Sequence, residues 1–181
     1  MKTDHLSMWS VPGYRLRPGS NLDQAQLLDC MQSAYRELGA TTLEHLADTV
    51  RQNLSDRALL WWVEPDKAPT MPRVGFMKAI DKPIGCLWLG SAIDQKTGQR
   101  QAYIFLVYVD PSHRRRGLGT ALMQYGQRWA QQQGYQQIGL QVFESNQPAL
   151  TLYQKLGYRP KAIWMVKDLD ESSLDESSID E

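Results

Sequence analysis

The sequence predicts an α/β protein, a mixed sheet flanked by helices, on three observations. ALLWWVE (58–64) and RQAYIFLVYVD (100–110) are apolar on both faces, as buried strands are. Leu118, Leu122, Tyr125 and Trp129 recur at helical spacing. Glycines stand where the helical patterns stop, at Gly39, Gly134 and Gly157.

The elements follow in order. PGYRLR (12–17) alternates apolar and polar as a first strand. Asn21 or Asp23 is positioned to cap a helix running to about Leu38, with Leu27, Leu28, Met31 and Tyr35 near one stripe. A second helix is predicted from about Leu43 to Leu54, followed by the strand 58–64. Proline-rich 65–83 reads as a loop, then IGCLWLGSAID (84–94) as a strand, KTG as a turn, and 100–110 as the central strand. After the 118–133 helix, IGLQV (138–142) alternates as a strand. Asn146 caps a helix from Gln147 to Leu156 with Pro148 in its first turn. The segment YRPKAIWMVKDL ends the ordered chain, as one strand or a hairpin.

Length and composition fit one domain, residues 1–169, with an ordinary core. The tail 170–181 is acidic and predicted disordered. From Asp168 onward there are seven acids and no Lys or Arg, so a net charge of zero conceals a body with a formal excess of seven positive charges. A basic body favours anionic ligands. No basic stripe interleaved with aromatics marks a nucleic-acid surface, no apolar run approaches a membrane span, and the N-terminus lacks a signal-peptide core. Cys30 and Cys86 form no disulfide framework, and the three histidines have no ligand spacing. Reduced thiols, a cytoplasmic location and no metal are therefore expected.

Chemistry concentrates in DPSHRRRGLGTALMQYG (110–126). Three arginines, Arg114, Arg115 and Arg116, precede Gly117 and Gly119 where the helix begins. A helix N-terminus offers unpaired N–H groups and partial positive charge, and glycine lets an anion approach the backbone. No Lys-Ser/Thr follows, as a Walker loop requires, and the third glycine of a dinucleotide fingerprint is missing. Further on, Asn146 and Tyr153 are seven residues apart, sharing a helix face about 10 Å apart along the axis.

Together these residues resemble the core of the GCN5-related N-acetyltransferase (GNAT) superfamily. The likeness runs from Ala102 to Leu169: V-Y-V-D-P, then Arg114-x-x-Gly117-x-Gly119, then Asn146-x-x-Ala149-x-x-Leu152-Tyr153-x-x-x-Gly157-Tyr158. The resemblance implies a central mixed sheet of six to seven strands with about four helices, and an enzyme moving an acetyl group from acetyl-CoA to a primary amine. It implies that backbone N–H groups of Arg115, Arg116, Gly117, Leu118, Gly119 and Thr120 hold the coenzyme A pyrophosphate, with the side chains of Arg114, Arg115 and Arg116 adding longer-range attraction. Val107, Tyr108 and Val109 would pair with the pantetheine arm, and one of their N–H groups would bond the thioester oxygen. Asn146 would touch the arm, and Tyr153 would protonate the departing thiolate.

One related branch, the ribosomal-protein alanine acetyltransferases, carries a glutamate five residues before the Asn. Here that position is Gln141, which takes no proton. Glu144 falls in a loop, Tyr103 and Tyr108 are candidates for a water-mediated relay, and no base is assigned. A non-catalytic module that binds and senses acyl-CoA is the alternative. The resemblance places the acceptor among the 37–42 loop, the central strands and the last strands, with 65–83 as a candidate wall. The C-terminal segment is short, so the closing hairpin is either reduced or completed by a partner in a homodimer.

Overall fold

The computed structural model of the chain describes residues 9–54, 59–66 and 83–169. Residues 67–82 of the candidate wall 65–83 and the acidic tail 170–181 lie outside these residues.

Five strands form one sheet in the order β1 to β5: β1 (Tyr14–Pro18), β2 (Leu59–Pro65), β3 (Gly85–Ile93), β4 (Arg100–Val109) and β5 (Ile138–Leu140). All neighbours are antiparallel except β4 and β5. Four helices cover it: α1 (Gln24–Glu37), α2 (His45–Asn53), α3 (Leu118–Gln132) and α4 (Gln147–Lys155). Ser20 and Asp23 form a capping box around the short turn that leads into α1, a role the sequence suggested for Asn21 or Asp23.

Helices sandwich the sheet. On one face Leu118, Leu122, Met123, Tyr125 and Trp129 of α3 pack on Trp61, Val63, Leu87, Leu89, Ala102 and Ile104, with Leu152 and Tyr153 of α4 and Leu156 just after it alongside. On the other, Leu27, Cys30 and Met31 of α1 and Leu46 and Val50 of α2 pack on Leu60, Trp62, Cys86, Trp88, Leu106 and Tyr108. Trp61 and Trp62 thus face opposite layers, and both are core.

Two irregularities shape the centre. The β3–β4 register slips between Trp88 and Leu89, which pair with Leu106 and Ile104 and leave Phe105 as an extra residue. Side-chain direction on β4 reverses there. Ala102 and Ile104 point to α3, whereas Leu106 and Tyr108 point to α1. The second irregularity is the length of β5. It pairs only with Ala102, Tyr103 and Ile104, so beyond Ile104 β4 has a sheet partner on one side alone.

Here the sequence expectation needs correction. The strand 138–142 stops at Leu140, and 159–169 adds neither a sixth nor a seventh strand. Ile163, Trp164, Met165, Val166 and Leu169 are 80–87% exposed. A segment apolar on both faces becomes a strand only between partners, and three-residue β5 offers a short edge. Lys161 ties its start to Gln137 at 2.8 Å.

Candidate active site

The turn between β4 and α3 is set by local chemistry. Asp110 accepts from the N–H of Ser112 at 2.9 Å, closing a short helical turn over Pro111–His113. Arg115 then adopts φ 63°, the one non-glycine residue in the left-handed region among the described residues, and Gly117 adopts φ 80°. A Cβ at position 117 would meet nothing within 4 Å, so backbone conformation and not crowding calls for glycine. Left-handed residues in such a turn gather successive N–H groups into a concavity suited to anions.

Those N–H groups are available. Gly117 provides no side-chain cap, and the first bond of α3 runs from Ala121 N–H to the Gly117 carbonyl at 3.0 Å. From Arg115 to Thr120 no backbone N–H has an acceptor among the described residues. The structure therefore brings together six of the predicted backbone donors at the start of a 15-residue helix.

Two of the arginine side chains also have partners within the protein. Arg114 donates through Nε to the Val109 carbonyl at 2.8 Å, and its Nη2 lies 2.6 and 2.9 Å from the two oxygens of Glu37. Its charge is compensated, and it pins the turn to the C-terminus of α1. Arg116 donates to the Tyr14 hydroxyl at 2.8 Å, and that hydroxyl lies 3.0 Å from His113 Nδ1. Tyr14 is a residue that sequence reasoning missed. Its partners are 99 and 102 positions away, and no local spacing signals such a clamp.

Beside the turn runs the open edge of β4. Asp110 N–H bonds the Ile84 carbonyl on the β3 side at 2.7 Å. Strand alternation therefore turns the N–H groups of Val107 and Val109 away from β3, toward the side that β5 has left. Before the bulge, Ala102 N–H already bonds the Gln137 carbonyl on the β5 side at 3.0 Å. The bulge re-phases the strand between them.

On α4, Asn146 accepts from Ala149 N–H at 3.2 Å, so its carbonyl oxygen caps its own helix. Tyr153 is half-buried against the α3-side core, with its ring 5.8 Å from that of Tyr158. Burial, with Tyr158 adding, pushes its hydroxyl up to about 12. Leu152 beside it would lie 3.4 Å from a Cβ at Gly119, which puts α4 against the first turn of α3. Tyr108 and Tyr103 share the α1 face because of the bulge, although five-residue spacing in a regular strand separates them. Burial raises both hydroxyls, with Glu37 next in effect at Tyr108 and Tyr35 at Tyr103. Gln141 and Glu144 are exposed.

Comparison with known proteins agrees with this geometry. The model of the acetyltransferase (GNAT) family matches residues 43–158. N-acetyltransferase 8 of Homo sapiens is 24% identical over 119 residues, 66% of this chain and 47% of that protein. The chain thus spans about half the length of that relative. A GCN5-related N-acetyltransferase structure from Ralstonia eutropha superposes with a TM-score of 0.66 at 25% identity, over 87% of this chain and 99% of that one. A predicted acetyltransferase of Clostridium acetobutylicum, solved with acetyl-CoA, shares the fold with a TM-score of 0.64 at 17% identity over 86% and 96%. With the motif pair, the five-stranded sheet and the uncapped α3 in place, the match over most of the chain settles its kinship: it belongs to the acetyltransferase (GNAT) family.

Proposed function

We propose that the chain is an N-acetyltransferase, carrying an acetyl group from acetyl-CoA to a primary amine. The observation that carries this reading is the row of acceptor-free N–H groups from Arg115 to Thr120, next to the unpaired edge of β4. A diphosphate satisfies the first, and an extended arm with amides satisfies the second. In this reading the Val107 or Val109 N–H bonds the thioester oxygen as negative charge develops there, the role of an oxyanion hole. The side-chain nitrogen of Asn146 is left for the pantetheine arm, since its oxygen caps α4.

Tyr153 takes a narrower role than full protonation ahead of departure. Its hydroxyl titrates at about 12, whereas a thiol titrates near 8.5. Moving the proton completely from this phenol to a thiolate is therefore uphill. The neutral amine nitrogen attacks the acyl carbon directly to give a tetrahedral intermediate. The carbon–sulfur bond then breaks to release the coenzyme A thiolate, with Tyr153 donating a hydrogen bond to its sulfur, and the proton lost by nitrogen passes to water. Positioning of the two reactants supplies most of the acceleration.

The second reading, an acyl-CoA sensor without turnover, is favoured by one observation. Near the open edge Glu37 is paired with Arg114, and Gln141 takes no proton. One experiment separates the two. Calorimetry with acetyl-CoA is combined with a thiol-release assay across a panel of primary amines. Binding with amine-dependent release supports the enzyme. Binding with no release from any amine supports the sensor, and no binding removes both.

A further inference from the structure

The two helical layers cover the sheet unevenly. The α3–α4 layer reaches from β1 to β5, as contacts from Leu16 to Ile138 and Leu140 attest. The α1–α2 layer packs on β2, β3 and β4, and the β5 side of that face is left open. Aromatic rings gather there. Tyr103 and Phe105 of β4 lie half-buried with their rings 5.2 Å apart at 69°. Tyr35 of α1 and Phe143, just beyond β5, meet edge-to-face at 6.0 Å and 88°. Phe143 is 52% exposed.

Tyr103 and Phe105 share the α1 face by ordinary strand alternation with Ala102 and Ile104, and the Phe105 ring lies 4.7 Å from that of Trp88. Gly90 on the neighbouring strand makes room, because a Cβ there would run into the Phe105 ring. The bulge that follows keeps Leu106 and Tyr108 on this face as well. The same slip directs the Val107 and Val109 N–H groups to the open edge. The aromatic floor thus lies beside the edge that the bulge re-phases.

Resting on the acetyltransferase reading above, we propose that this shelf binds the acceptor, and that the acceptor is a primary amine bearing a planar aromatic group. The aromatic body lies against Tyr35, Tyr103, Phe105 and Phe143 and directs the amine to the β4 edge. A polyamine needs several free carboxylates, and Glu37 at this rim is already paired with Arg114. A polyhydroxylated amine needs many polar partners, and the four shelf side chains offer two hydroxyls. Three half-buried rings and the exposed ring of Phe143 are best matched by another ring.

The test is affinity, independent of turnover. Phenethylamine and hexylamine, of similar reach, are titrated by calorimetry into protein saturated with coenzyme A. Ring contacts of this kind predict about tenfold tighter binding of phenethylamine. Phe143→Ala, at an exposed position, and Gly90→Ala, which lifts Phe105, should each reduce the ratio to about threefold or less. Neither should change affinity for coenzyme A. Equal affinity for the two amines overturns the proposal, as does a variant that changes oligomeric state and leaves the ratio intact, which makes the shelf a contact between copies. Failure to bind coenzyme A would instead remove the acetyltransferase reading beneath it.

Discussion

Two helices of this chain, in contact where Leu152 of α4 meets the first turn of α3, treat their own first turns in opposite ways. At α4 the first turn is closed. Gln147 N–H bonds the Ser145 carbonyl at 2.9 Å, Pro148 has no N–H, Ala149 bonds the Asn146 side chain and Leu150 its carbonyl. At α3 nothing closes, and the donors of Leu118, Gly119 and Thr120 stay without acceptors. Local stability alone would favour a cap, worth about 1 kcal/mol, at both. On the proposed reading, the difference marks α3 as the helix whose open N-terminus takes the ligand, while α4 satisfies its own first turn beside it.

The comparison breaks most sharply if α3 is given its own anion. Gly117→Asp sets a carboxylate at the mouth of the turn, where it competes for the free N–H groups and repels diphosphate. Two like charges near 4 Å at a surface interact by up to about 4 kcal/mol. We expect the acetyl-CoA dissociation constant to rise at least about 100-fold, equivalent to about 2.7 kcal/mol. Calorimetry would measure this, with circular dichroism confirming the fold. Unchanged affinity would mean that the ligand docks elsewhere.

Next in size is the tyrosine on the closed helix. Tyr153→Phe keeps the ring packing and removes only the donor to sulfur. The expected result is a fall in kcat of about 10- to 100-fold, with affinity for acetyl-CoA unchanged. The raised hydroxyl also gives a stability signature. Below pH 10 both folded and unfolded chains keep this proton. Between there and about pH 12 only the unfolded chain releases it, so its contribution to stability is lost as pH rises through that window. Alkaline unfolding of the Phe variant should therefore be less steep between these values.

What could be read from the chain in advance follows from the reach of each interaction. The strands, both flanking helices of the site and the Asn146 cap depend on neighbours a few residues away, and their patterns were legible. The Gly117 turn was legible too, since a glycine before an amphipathic run marks a bare helix start. The bulge was not. YIFLVYV is apolar at every position, so nothing in it reveals where alternation reverses, and Tyr103 and Tyr108 land on one face unannounced. The Arg114–Glu37 pair was not legible for a similar reason: the two residues lie 77 positions apart. The C-terminal segment carries strand-like residues, but pairing needs an edge that its own sequence cannot specify.

A third change tests the clamp that only the structure revealed. Tyr14→Phe removes the hydroxyl joining His113 and Arg116 without disturbing the β1 register. Tyr14 is a positioning residue, so loosening the turn should raise KM for acetyl-CoA about fivefold and leave kcat nearly constant. That corresponds to about 1 kcal/mol, the net value of a typical hydrogen bond. A fall in kcat at constant KM would place Tyr14 in the chemistry instead.

The smallest effect is the most discriminating for α4. Asn146→Ala removes the cap and should lower stability by about 1 kcal/mol, or 2–4 °C in Tm for a chain of this length. Asn146→Asp keeps the capping oxygen and discards the amide nitrogen. If Asn146 only closes its helix, Asp restores both Tm and acetyl-CoA affinity. If its nitrogen also holds the pantetheine arm, Asp restores Tm while affinity stays reduced by a few-fold. Thermal melts and calorimetry on the same three proteins distinguish these cases, because the cap uses Oδ1 and the ligand would use Nδ2. The second outcome is expected on the proposed reading, in which Oδ1 caps α4 and Nδ2 is left for the pantetheine arm.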